Sequence, residues 1–151
     1  VNEEILSELM AYEYIQKSPP KSTGRHEFGE GLVKSIIKNY TKTSPDDLIR
    51  TFCIFTAKSI AENMNKYLNF SISDVRMIVS GGGIHHLVLM KDIKKYSRIS
   101  EISTVDNYGI QPDFKETLLM AVLGVAHIQE MTANMPTVTG ANKMVVLGSS
   151  I

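Results

Sequence analysis

Val75-Arg76-Met77-Ile78-Val79-Ser80-Gly81-Gly82-Gly83 is the stretch on which the reading of the fold turns. Its first five residues are apolar but for Arg76 and rich in β-branched side chains, the composition of a short, largely covered strand. Three glycines follow within two residues, and a helical spacing of apolar residues runs from about His85 to Ser97. Strand, glycine turn and helix make one βα unit, which predicts an α/β chain.

On the C-terminal side, Glu101 to Val105 is a second strand candidate and Asp106 to Gln111 a loop. Pro112 to Ile128 is predicted as a helix. Between Leu118 and Ala126 it is apolar on nearly every side, so it is expected to be buried. Pro136 to Asn142 reads as a turn-rich loop, and Lys143 to Leu147 as a last strand. Strands alternating with helices argue for three layers, with right-handed crossovers if the strands run parallel.

On the N-terminal side the chain is helix-rich. Val1 to Met10 places Ile5, Leu6, Leu9 and Met10 on one face; with no initiator Met before it, the chain is expected to begin within a longer protein. Ser18 to Arg25 collects turn-formers and polar residues, and is expected to be an ordered loop. Gly29 to Tyr40 has a helical spacing. Ser44 is a helix cap, followed by Pro45 at the first helical position and by Asp46 and Asp47 in a first turn that favours negative charge. From there an apolar stripe from Ile49 to Leu68 predicts a long helix.

Composition narrows the function. At 151 residues the chain is one domain by default, long enough to bury about two-thirds of its unfolded surface. Sixteen basic and sixteen acidic residues balance, which disfavours a nucleic acid partner. No apolar run approaches the roughly 20 residues of a membrane helix, so a soluble, cytoplasmic protein is expected. The lone Cys53 stands among Phe52, Ile54 and Phe55, a setting that suggests a packed thiol.

Three segments carry candidate chemistry. Gly81, Gly82 and Gly83 stand where a strand hands over to a helix; there backbone N–H groups can approach a phosphate or nucleotide, although a plain tight turn would read alike. Lys21, Ser22, Thr23 and Arg25 offer cations and hydroxyls suited to polar ligands, or they are solvated loop residues. Glu116 begins an otherwise apolar helix, where it either lines a cleft or favours the helix dipole; Asp106 and Asp113 share that ambiguity. His85 and His86 lack further ligands at metal spacing, so no metal centre is expected.

The order of these segments resembles a known family. Pro19-Pro20-Lys21-Ser22-Thr23-Gly24-Arg25 with Phe28, then Gly81-Gly82-Gly83 with Leu89-Met90, then Gly109-Ile110 with Asp113 and Glu116, then Pro136, Thr139-Gly140-Ala141 and Leu147-Gly148, is similar to the C-terminal region of the anhydro-N-acetylmuramic acid kinases. The resemblance implies an α/β, three-layer actin-like (ribonuclease H-like) ATPase lobe. It implies an enzyme that uses ATP and Mg²⁺ to open the 1,6-anhydro ring and phosphorylate the sugar at O6, in peptidoglycan recycling. Gly81 to Gly83 would then face the nucleotide and Glu116 the sugar, with Lys21, Ser22, Thr23 and Arg25 lining the cleft.

A homodimer is plausible by the same resemblance. The family's phosphate loop and general-base aspartate belong to a preceding lobe, so the 151 residues alone are expected to be inactive. His26 stands where the family usually has Glu, His86-Leu87 where it usually has Asn-Pro, and Thr117 where it usually has Ala. An alternative reading is therefore a non-catalytic actin-like module for dimerisation or regulation.

Overall fold

The computed structural model describes residues 1–68 and 75–149. Its first half is helical: α1 (Glu3–Met10), α2 (Glu13–Gln16), α3 (Arg25–Phe28), α4 (Glu30–Asn39) and α5 (Pro45–Tyr67). Asn2 caps α1, its Oδ1 accepting from the Glu4 and Ile5 amides at 3.1 Å each. The Asn2 amide in turn donates to Thr51 Oγ1 at 2.9 Å, which joins α1 to α5. Ser44 caps α5 as its sequence implies, Oγ accepting from the Asp47 amide at 3.1 Å with Pro45 in the first turn.

These helices enclose the core. Ile5, Leu6 and Leu9 of α1 meet Ile15 of α2, Ile36 of α4, and Ile54 and Phe55 of α5. Burying such side chains is worth about 1.5–3 kcal/mol each, which makes this cluster the main source of stability in the first half.

The second half holds the βα unit. β1 (Arg76–Val79) pairs in parallel with β2 (Glu101–Thr104), Arg76 opposite Glu101 and Val79 opposite Thr104, and α6 (Leu87–Ser97) connects them. Arg76 Nε reaches Glu101 Oε1 at 2.8 Å across the pair. The strand–glycines–helix reading therefore holds, with a 3₁₀ turn at Gly82–His85 ahead of α6. The chain then makes 3₁₀ turns at Val105–Tyr108 and Pro112–Phe114 before α7 (Lys115–Ile128) and the short α8 (Pro136–Thr139).

α6 packs against α5, where Ala57 and Ala61 are buried and allow the helices to approach closely. A half-buried ionic cluster fastens the pair. Arg50 of α5 holds Asp92 of α6 through both of its terminal nitrogens, Nη2 at 3.0 Å from Oδ1, and Cys53 Sγ lies 3.6 Å from Asp92 Oδ2. The Arg50 guanidinium keeps the buried Asp92 carboxyl below its usual range, outweighing the opposing effect of burial. Burial pushes the Cys53 thiol up, with the Asp92 carboxylate adding to it, so the packed, unreactive reading of Cys53 fits.

Two expectations need correction. Lys143 to Leu147 is not a strand of the sheet: among the described residues the sheet is β1 and β2 alone. The segment instead lies beside the end of α7. Asn134 donates to Lys143 O at 2.9 Å and accepts from the Val145 amide at 2.6 Å, and His127 Nδ1 sits 2.9 Å from Leu147 O. These nearby side chains satisfy the backbone that a sheet neighbour would otherwise take.

Nor is α7 buried. Met120 is 60% exposed and Ile128 81% exposed, and Leu118, Leu119, Val122 and Val125 are about half exposed. Apolar residues all round a helix ask for neighbours on all sides, and none of the described elements covers them. Among the described residues no helix is long and apolar enough to cross a membrane.

Candidate functional site

The turn after β1 is built for close approach. Gly81 has a φ of +84°, a conformation that strains residues carrying a Cβ. A Cβ placed on Gly81 or Gly82 would meet no atom within 4 Å, and on Gly83 only Leu89 Cδ2 at 4.0 Å. The glycines are thus not demanded by protein packing; they leave open space at the carboxyl end of a strand and ahead of a helix N-terminus. In an open α/β sheet that is where ligands sit, and an 11-residue helix favours an anion there.

His86 accounts for the helix start. Its Nδ1 accepts from the Leu89 amide at 3.1 Å, the contact that an Asn side chain would make in the same place. The ring accepts only as the neutral form with its proton on Nε2. In that form His86 serves as the cap of α6. Among the described residues no three His, Cys, Asp or Glu side chains gather as a metal site.

Asp113 is brought to the turn: His85 Nε2 lies 3.4 Å from Asp113 Oδ1, which ties the glycine turn to the 3₁₀ turn that precedes α7. Glu116 follows in the first turn of α7 and is exposed. Asp106 is also exposed, in the 3₁₀ turn after β2.

The Lys21 loop lies elsewhere. Lys21 and Thr23 line a hollow of about 510 Å³ among α2, α3, α4 and α5, while Ser22 and Arg25 are exposed. Lys21 Nζ donates to Ile15 O at 3.2 Å and Tyr14 O at 3.4 Å, so its charge serves the carbonyls ending α2. Pro20 meets the turn at Gly140, whose added Cβ would stand 3.7 Å from Pro20 Cγ. Two segments distant in sequence, Pro19–Arg25 and Thr139–Ala141, thus come together.

The family model for anhydro-N-acetylmuramic acid kinase matches residues 1–151. The chain belongs to the anhydro-N-acetylmuramic acid kinase family. Curated proteins of that name agree. The one from Clostridioides difficile (strain 630) is 36% identical over 149 residues, covering 99% of this chain and 39% of the relative. Those from Salinibacter ruber and Francisella tularensis subsp. novicida are 33% and 34% identical, over 97% and 96% of this chain and 37% and 38% of their own lengths. The chain thus spans about two-fifths of these kinases.

Sequence reasoning found the glycine turn and the Lys21 loop from residue types. It missed Asp92, an ordinary-looking helical acid whose partner Arg50 is 42 residues away. It also missed the aromatic hollow, because Tyr14, Phe28, Phe52 and Phe55 come from three separate elements that only the fold brings together.

Proposed function

We propose that the chain is the C-terminal part of an ATP-dependent sugar kinase with a three-layer, actin-like lobe, and that Gly81, Gly82 and Gly83 face the nucleotide. The observation that carries the reading is the open space at Gly81 and Gly82, at the end of β1 and ahead of α6. A nucleotide's phosphates or sugar could lie against backbone N–H groups there without meeting a side chain. The kinase name of every relative described above supports the reaction class.

The substrate would be anhydro-N-acetylmuramic acid. Water adds across the anhydro C1–O6 bond, O6 takes the γ-phosphoryl group, ADP leaves, and N-acetylmuramic acid 6-phosphate is the product, a step of peptidoglycan recycling. Glu116 accepts a hydrogen bond from a sugar hydroxyl, and Asp113, held near the turn by His85, fixes the approach of α7 to the cleft. Ser22 and Arg25 stand as candidate lining of the same cleft, whereas Lys21 and Thr23 line the hollow among α2, α3, α4 and α5 instead. Mg²⁺ would arrive with the nucleotide phosphates; no ligand set for it is gathered among the described residues, and no step is assigned to it.

The phosphate cradle and the general base would lie in the part of the kinase that these 151 residues do not span, so this chain by itself is inactive. Phosphoryl transfer depends on positioning and on electrostatic stabilisation, both of which need the two halves of the cleft. Equilibrium titration of full-length protein with ATP tests the nucleotide assignment. Gly82→Ala should weaken binding about tenfold or more, since each 1.4 kcal/mol is a factor of ten; unchanged affinity would remove the glycines from the site. The second reading, a non-catalytic module that forms a homodimer, draws on the exposed apolar surface of α7. It would be selected if the full-length protein binds no nucleotide and self-associates through α7.

A further inference from the structure

We propose that the hollow among α2, α3, α4 and α5 is a second ligand site, apart from the glycine turn, that takes a small anionic amphipathic molecule with a flat apolar body. The hollow opens to the surface and measures about 510 Å³. It falls within the roughly 300–1,000 Å³ of small-molecule sites.

The walls specify the ligand. Tyr14, Phe28, Phe52 and Phe55 bring aromatic rings to the hollow. Phe28 is held edge-on to Tyr14 at 5.5 Å between centroids and lies 6.0 Å from Phe55, so these faces are formed before any ligand arrives. Thr56, Ser59 and Asn63 of α5 form the polar wall. Each already donates to a backbone carbonyl one turn back: Thr56 Oγ1 to Phe52 O at 2.9 Å, Ser59 Oγ to Thr56 O at 2.9 Å, and Asn63 Nδ2 to Ser59 O at 2.8 Å. The two hydroxyls are left to accept, which suits hydroxyl or amide N–H groups of a ligand, and Asn63 keeps one N–H and its Oδ1.

The charge is set by Lys21, the one charged side chain among the lining residues. Two of its three N–H bonds point to Tyr14 O and Ile15 O, and its Nζ lies 5.1 Å from the Tyr14 ring centroid. With no carboxylate in the lining, an anionic group next to the ammonium is favoured and a cation is not. Separation from the glycine turn follows from α5 itself. Phe52, Phe55, Thr56, Ser59 and Asn63 share one face of the helix, whereas Arg50 and Cys53 reach Asp92 of α6 from another. Lys21 and Thr23 thereby gain a site of their own in place of the nucleotide cleft.

Fluorescence titration of the full-length protein with 8-anilinonaphthalene-1-sulfonate, beside the uncharged N-phenyl-1-naphthylamine, tests the proposal. One saturable site is expected. Ser59→Trp and Thr56→Trp, which fill the hollow, should each weaken both probes about tenfold or more, and Lys21→Met should weaken the sulfonate alone by about fivefold or more. Circular dichroism identifies which filling variants remain folded, and the Lys21→Met comparison stands without them. Val122→Lys, on the exposed face of α7, should leave the site intact. Failure to saturate, indifference to a folded filling variant, abolition by Val122→Lys, or an equal loss of both probes in Lys21→Met would each overturn the proposal.

Discussion

Gly81 and Gly82 are adjacent glycines with different obligations, and that difference separates fold from function. Gly81, at a φ of +84° and a ψ of 174°, is required by its backbone, so Gly81→Ala should cost about 1–3 kcal/mol of stability, seen as a lowered denaturation midpoint. Gly82 has neither a positive φ nor an atom within 4 Å of an added Cβ, so Gly82→Ala should fold normally, and any loss of nucleotide binding in that variant reports the ligand. His86 makes a parallel case. Its Nδ1 cap on Leu89 predicts that His86→Ala costs about 1 kcal/mol in urea unfolding while His86→Asn keeps wild-type stability. The Ser44 cap was legible because Ser, Pro and two Asp stand in order; the His86 cap was not, because His is an uncommon cap and only the geometry shows which ring nitrogen accepts.

The α5–α6 pair depends on one asymmetric ion pair. Asp92 is buried, whereas the Arg50 side chain is 37% exposed. Arg50→Ala should therefore cost about 3 kcal/mol by stranding a buried carboxylate, and Asp92→Ala nearer 1–2 kcal/mol because water reaches the freed guanidinium. The Asp92 carboxyl is held below its usual range of about 3.9, so its contribution is full at neutral pH and is lost as pH falls through the folded value. Urea midpoints measured from pH 7 down to pH 2 should fall more steeply for wild type than for Asp92→Asn; parallel curves would deny the pair its role. Elements with strong periodicity, α5 and the β1–α6–β2 unit, were legible in the sequence. The 143–147 segment was not, since its short apolar run marks extended backbone without naming the partner, and Asn134 and His127 supply that partner locally.

At the scale of the whole molecule, the chain has a core in its helical first half and an uncovered apolar helix in its second. α7 explains why sequence reasoning expected burial: residues 118–126 have the composition of an interior helix, yet none of the described elements covers them. His85 and Asp113 link the glycine turn to the turn that precedes α7, in a chain that spans about two-fifths of its kinase relatives. The most direct measurement is ATP-dependent phosphorylation of anhydro-N-acetylmuramic acid, assayed with these 151 residues alone, with the full-length protein, and with its Glu116→Gln variant. Turnover is expected of the full-length protein only, with kcat/KM lowered at least about tenfold in Glu116→Gln, a loss of about 1.4 kcal/mol of transition-state binding. An inactive full-length protein, or a Glu116→Gln variant as fast as wild type, would contradict it.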